Sequence, residues 1–381
     1  MTDPLEHILR LAFEVGPRPA TSEGERRASA YIAEKLEEFG FTVKVEQFRA
    51  PRSMGMVLAP IYLLALAGAG IAILLNSAAL GLLLCGIAMV AFLGEITTAL
   101  RLVSLLVPKG KSQNVIGRLA PKELPRRGLV IAAHYDSPRP DLGWHPRVVR
   151  ARRLGFVLLT LSLLMLPLLI AVSAATGFDG IAFAAIPFAV YVLGALLLLL
   201  HGQIAYKHVP GANCDASGIA VMLTLCEALA LDAPADTEVM ALACGCNTTG
   251  VVGMQAFIRK HPEELDRAWI LNLDSVGAGD VFYTTSEGQL LNHRTSPELR
   301  EVAEKVAALP GLGVAARSFH LVSNDIEPVL LRRLDAISVM AGNDGVPVNS
   351  HWKTDTVENI DPDSIDTAYR FTEAMVRRLI A

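Results

Sequence analysis

"GLVIAAHYDS" (residues 128–137) is an apolar run that stops abruptly on a histidine, a tyrosine and an aspartate. Three other segments share the pattern: "TEVMALACGC" (237–246), "AWILNLDSVG" (268–277) and "DAISVMAGND" (335–344). Runs this short and this continuously apolar suit strands buried on both faces, and between them lie helical segments such as "ASGIAVMLTLCEALAL" (216–231) and "SPELREVAEKVAAL" (296–309). Strands alternating with helices predict an α/β fold, a mostly parallel central sheet flanked by helices. Toward the amino end, "SEGERRASAYIAEKLEEFG" (22–40) opens on a capping-box pattern, Ser22 with Glu25, and closes at Gly40. "FTVKVEQF" (41–48) then alternates like a strand, and Ala368, Phe371, Met375 and Leu379 share one face of a last helix.

Composition points elsewhere as well. The 381 residues are 52% hydrophobic and 19% charged, more apolar than an ordinary soluble domain. The excess sits in four stretches, 54–75, 80–94, 154–175 and 181–200. A helix needs about 20 apolar residues to cross the hydrocarbon, which three of them supply. The second is short before Glu95, though "ITTALRLVSLLV" (96–107) could extend it. Buried core helices are the alternative; length and lack of charge favour two transmembrane hairpins, 54–107 and 151–202. What remains, 1–53, 108–150 and 203–381, makes one α/β domain.

Arg49, Arg52, Arg101, Lys109, Lys111, Arg147, Arg150, Arg152, Arg153 and Lys207 flank the spans, while the two hairpin loops carry no Lys or Arg. By the positive-inside rule, domain and termini lie in the cytoplasm and the loops beyond the inner membrane. The partner so implied is the lipid bilayer. A net charge of −4 without a basic stripe speaks against nucleic acid. Five cysteines, Cys85, Cys214, Cys226, Cys244 and Cys246, make no disulfide framework and suit a reducing compartment. The opening "MTDPLEHILRLAFEVGPRP" has no basic and then apolar region, so no signal peptide is expected.

Ligands of α/β sheets gather at the carboxyl ends of the strands. His134 and Asp136 end one strand and Asp274 another, and His351 and Asp355 lie in the loop "NSHWKTDT" (349–356). Histidines and carboxylates at one sheet edge suit zinc.

Taken in order, these segments resemble metallopeptidase family twenty-eight, the two-zinc aminopeptidases with their glutamate-carboxypeptidase and transferrin-receptor-like relatives. "ATSEGERRASAYIAEKLEEFGFTV" (20–43) is similar to the family's opening helix and strand, and "SQNVIGRL" (112–119) to its Asn-Val strand. "AAHYDS" (132–137) is similar to the segment with a zinc histidine, "GANCDASG" (211–218) to the bridging-aspartate turn, and "CNTTGVVGMQAF" (246–257) to the Glu-Glu segment. "LNLDSVG" (271–277) resembles the third ligand strand and "SHWKTDTVENID" (350–361) the last histidine loop.

The resemblance implies that His134 and Asp274 are ligands of one zinc, that His351 is a ligand of the other, and that Asp136 orients His134. It also exposes three departures. Cys214 holds the slot of the bridging aspartate, Asn247 that of the general-base glutamate, and Thr248 that of a glutamate ligand. Asn cannot take a proton from metal-bound water, and Thr is a weak neutral ligand. At most one zinc per chain, or none, is expected, held by His134, Asp274 and Cys214, with Asp215 as a replacement ligand one residue out of register. Cys244 and Cys246 either add thiolates to a rebuilt site or simply pack, the latter preferred. Two functions follow. The favoured one is a membrane-anchored pseudopeptidase whose former cleft binds a protein partner. The other is a single-metal hydrolase whose base is Asp215 or Asp325.

Overall fold

The computed structural model describes residues 2–97, 101–178 and 180–381. Among these residues nine strands form one sheet: β1 (Thr42–Pro51), β2 (Lys109–Leu119), β3 (Arg127–His134), β4 (Thr237–Cys244), β5 (Ala268–Leu273), β6 (Asp280–Glu287), β7 (His293–Arg294), β8 (Ala315–Phe319) and β9 (Ala336–Gly342). Their order is β1-β2-β4-β3-β5-β9-β6-β7, with β8 beside β6. The expectation of a mostly parallel sheet needs correction, because the sheet is mixed. Its centre, β4-β3-β5-β9, is parallel, but β1/β2, β2/β4, β9/β6 and β6/β7 run antiparallel. Every residue of β5 and β9 is buried, as suits a parallel centre covered on both faces, whereas half the positions of the edge strand β1 are exposed.

Side chains of β3 show the period of two directly. Leu129, Ile131 and Ala133 join the core under α1 (Glu23–Glu38), α6 (Ser217–Leu231), α8 (Pro297–Ala307) and α9 (Pro362–Leu379), while Val130 and Ala132 join the core under α7 (Val252–Lys260). Ala368, Phe371 and Met375 of α9 are buried on the anticipated face. Gly40 ends α1 with φ +88°, and Phe41 N–H returns to the Leu36 carbonyl. The capping box is only half formed. Ser22 Oγ accepts from Glu25 N–H at 3.2 Å, but Glu25 turns inward and accepts from Thr21 N–H, Ser112 Oγ and Cys246 N–H.

Two helical hairpins interrupt this domain: α2 (Met54–Leu74) with α3 (Ala78–Ile96), and α4 (Arg152–Thr176) with α5 (Ile186–Ala205). The first leaves from Pro51 and returns at Lys109, which are register partners across β1 and β2. Since β2 runs against β4, that point lies at the carboxyl end of the parallel strands. The second hairpin follows β3, so it departs from the same edge. Both hairpins therefore stand over the strand ends that carry the candidate site.

Five helices among the described residues are long and apolar enough to cross a membrane. One of them, Ala212–Leu231, is 83% buried within the domain and is a core helix; the other four are 39% buried or less. These four pack through Tyr62, Phe92, Leu163, Leu166 and Leu196, and turn Leu63, Leu83 and Leu197 outward. At the α2–α3 contact, a Cβ on Gly68 would meet Cys85 Sγ at 2.8 Å and one on Gly81 would meet Ala72 Cβ at 2.6 Å, so small residues set the approach. Glu95 is not left bare: Ser104 donates to it from N–H at 2.7 Å and Oγ at 2.5 Å, and Arg101 lies 3.7 Å away. The suggested extension of the second span runs through Thr98–Leu100, outside the described residues; Leu102–Leu106 is a separate short helix.

Candidate functional site

Four loops at the carboxyl edge of the sheet bring the anticipated residues together. His134, the last residue of β3, is buried with Nε2 3.9 Å from Asp274 Oδ2 and Nδ1 3.6 Å from Asp136 Oδ1. Cys214 lies beside the same ring. Burial opposes the charged imidazole, yet Asp136, Cys214 and Asp274 together hold His134 well above its ordinary value. Burial pushes the Cys214 thiol up to about 12, so the slot holds a neutral thiol at neutral pH. Asp274 is also raised by burial, against the pull of His134 and Ser275.

Turn 211–216 is fixed from three sides. Gly211 takes φ +65°, Asp355 accepts from Asn213 N–H at 2.7 Å and Cys214 N–H at 3.3 Å, and Gly277 N–H donates to Asn213 Oδ1 at 2.6 Å. Asp355 thus acts as the turn's cap; burial raises it to about 7. A Cβ on Gly218 would lie 2.3 Å from the Leu273 carbonyl, which explains the glycine where α6 crosses β5.

Asp136 does more than face His134. Its carboxylate accepts Asn247 N–H at 2.7 Å, Thr248 N–H at 2.9 Å and the Thr248 hydroxyl at 2.6 Å. The carboxylate is desolvated, but His134 and these donors more than compensate and lower its pKa. Thr248 therefore spends its hydroxyl on Asp136. Asp215 is also committed: Arg18 Nη2 contacts its two oxygens at 2.9 and 3.0 Å, and both side chains are wholly buried. In this arrangement Asp215 is an ion-pair partner, turned to Arg18 instead of to a metal. His351, at φ +57°, stacks on Trp144 with ring centres 4.2 Å apart, and burial, with Arg152 and His134, drops it to about 3.

The cysteines go separate ways. Cys244 belongs to the core beneath α7, whereas Cys246 packs with Ala20, Ala50 and Val252. Among the described residues no three His, Cys, Asp or Glu side chains gather as a metal-binding group. The donor chemistry gives the reason. A bridged pair of zincs needs carboxylates where this chain has a thiol, an amide and a hydroxyl already in use. These residues do not fit a two-zinc centre.

Some participants could not be found from sequence. Arg18 comes from the unremarkable "GPRPA", and Trp144 from a loop with no motif. Asp325, by contrast, was named from the sequence as a candidate base; it is fully buried, with neither carboxyl oxygen accepting a hydrogen bond, and burial pushes it up to about 7 although His134 and the nearby Asn247 amide pull it down. Glu287, buried at the end of β6, is likewise raised to about 8.

Residues 198–376 match the model of peptidase family M28. A zinc aminopeptidase from Bacillus subtilis superimposes with TM-score 0.60 at 16% identity, covering 99% of this chain and 95% of its own. An aminopeptidase from Aneurinibacillus sp. strain AM-1 gives TM-score 0.59 at 15% identity over 99% and 93% of the two chains. A Bacteroides thetaiotaomicron glutaminyl cyclase bound to N-acetylhistamine gives 0.57 at 14% over 98% and 96%. No curated protein matches the sequence. The resemblance read from the motifs is borne out: the chain has the zinc-aminopeptidase-like fold and is consistent with the M28 metallopeptidases.

Proposed function

We propose that this is a membrane-anchored, zinc-aminopeptidase-like protein that has lost two-metal peptide hydrolysis and uses its cleft for binding. One observation carries the reading: Asp136, His134 and Asp274 keep their places while the loop beside them presents Asn247 and Thr248, the latter bonded to Asp136. The scaffold of the centre survives without the base and the carboxylates that would balance two dications. Elemental analysis of the purified chain should find at most one zinc, absent from His134→Ala. Two firmly bound zincs would show that Cys214 and Thr248 ligate after all.

Asp325 favours a second reading. A buried carboxyl with no hydrogen bond, facing Asn247 and His134, is where a relocated base of a single-metal hydrolase would sit. Since the fold also serves glutaminyl cyclases, likeness alone does not select hydrolysis. Metal-dependent activity lost in Asp325→Asn would favour this alternative.

The four outward-facing apolar helices and the hairpin loops without Lys or Arg support two membrane hairpins with the domain in the cytoplasm. In intact cells, an impermeant thiol reagent should label a cysteine placed at Ala78 and spare one placed at Glu358. The opposite pattern would invert the topology.

A further inference from the structure

A single cavity of about 830 Å³ reaches from the candidate site up between the helices. Its floor is polar and includes His134, Asn247, Thr248, Asp274 and His351. Its roof is made by Leu58 and Tyr62 of α2, Phe156 and Leu159 of α4, and Val190 and Leu198 of α5. At the level between them, where the chain passes from domain to helices, the wall carries Arg52, Arg139 and Arg152. Four acids line the cavity, Glu95, Asp141, Asp274 and Glu327; Arg152 is paired with Asp141 at 3.1 Å, and Glu95 is held by Ser104 and Arg101. Among the described residues, Arg52 and Arg139 have no carboxylate partner.

A peptide chain would have to leave backbone N–H and C=O groups unpaired against the apolar roof, which is costly. A molecule with an acyl chain and a compact charged head matches all three levels. We infer that the cavity binds a single-chain amphiphile with an anionic head, its acyl chain between α2, α4 and α5 and its head at Arg52 and Arg139 over the old metal site. This ligand class deepens the binding role proposed above and rests on reading the four helices as membrane spans. Its volume suits one such molecule. Gly194 provides a clean probe, since it lines the roof and a Cβ there would meet nothing within 4 Å. Gly194→Phe should fill the acyl-chain space without straining α5.

The test uses the full chain in phosphatidylcholine nanodiscs and the fluorescence of Trp144, which lines the cavity. An acylglycine with a chain dibrominated near its middle should quench saturably, and the quenching should vanish in Trp144→Phe and in Gly194→Phe. Its uncharged methyl ester should bind about tenfold more weakly, a difference erased in Arg52→Ala/Arg139→Ala. Dibrominated lysophosphatidic acid, run in parallel, shows whether a carboxylate or a phosphate head is preferred; saturable quenching by either supports the proposal. Equal quenching by acid and ester, quenching that survives Gly194→Phe, or equal quenching by brominated phosphatidylcholine of the bilayer would overturn it. The parent readings fail by other readouts: the membrane reading if the chain stays in the soluble fraction of lysed cells, and the loss of two-metal chemistry by zinc stoichiometry.

Discussion

Arg18→Ala should destabilise the protein by about 3–5 kcal/mol, the usual cost of removing one partner from a buried ion pair. Arg18 is completely buried, 2.9 Å from Asp215, and also donates to the carbonyls of Leu11, Gly16 and Tyr135. Alanine would strand a carboxylate beneath the turn that carries Cys214 and leave those carbonyls without a donor. Denaturant unfolding of the solubilised chain, followed by tryptophan fluorescence, measures the loss. Its pH dependence identifies the cause. Burial raises Asp215 to about 6 against the pull of Arg18. A carboxyl raised in the folded state contributes stability that is whole below its unfolded pKa of about 4 and is lost as pH rises through the folded value. Without Arg18 the folded value rises further, so the loss continues to higher pH. The gap between wild type and Arg18→Ala should therefore widen from pH 5 to pH 8. A gap that stays constant over this range would mean that packing and lost carbonyl bonds, not the charge, account for the defect.

What the sequence conveyed follows from how local each signal is. Apolar runs ending in His134, Asp274 and Cys244 marked the central strands because their continuous burial is written into every residue. Strand direction is not so written, and the antiparallel edges were missed; "FTVKVEQF" alternates, but alternation reports one wet face and says nothing of the neighbour's direction. The convergence of His134, Asp136 and Asp274 was legible from order and type. What each side chain binds was not. Asp215 looked available for a metal until Arg18, 197 residues away in sequence, closed on it. Glu25 read as a helix cap, and one of its oxygens instead holds the loop at Cys246. Long-range pairing of buried charges depends on the tertiary path, which no window of sequence contains. The helical reading of 216–231 within the α/β pattern also held: Ala212–Leu231 is long and apolar enough to span, yet it lies at the centre of the domain.

Cys214→Asp, Asn247→Glu and Thr248→Glu, made together, should give a protein that binds two zincs where wild type should bind at most one. The backbone is suited to the exchange. Asp355 holds turn 213–214 through main-chain N–H groups, and Asp136 holds residues 247 and 248 through theirs, so neither grip depends on the side chains replaced. Only the Thr248 hydroxyl bond to Asp136 is lost. Without metal, three new carboxylates beside Asp274, Asp136 and Asp215 repel one another, and the apo variant should melt below wild type. Zinc should reverse this by about 2.7 kcal/mol at a hundredfold excess over its Kd, while wild type gains much less. Single replacements should recover little, because bridging and terminal ligands act as a unit. Zinc per chain is the primary readout, since a cleft that has also changed shape could bind metal without cleaving peptides. Failure of the triple variant to bind two zincs would show that the scaffold itself, and not three side chains, has departed from the aminopeptidase geometry. Brisk aminopeptidase activity in wild type, abolished by Asn247→Ala, would refute the loss of catalysis outright and assign Asn247 a part in the reaction that its amide chemistry does not supply.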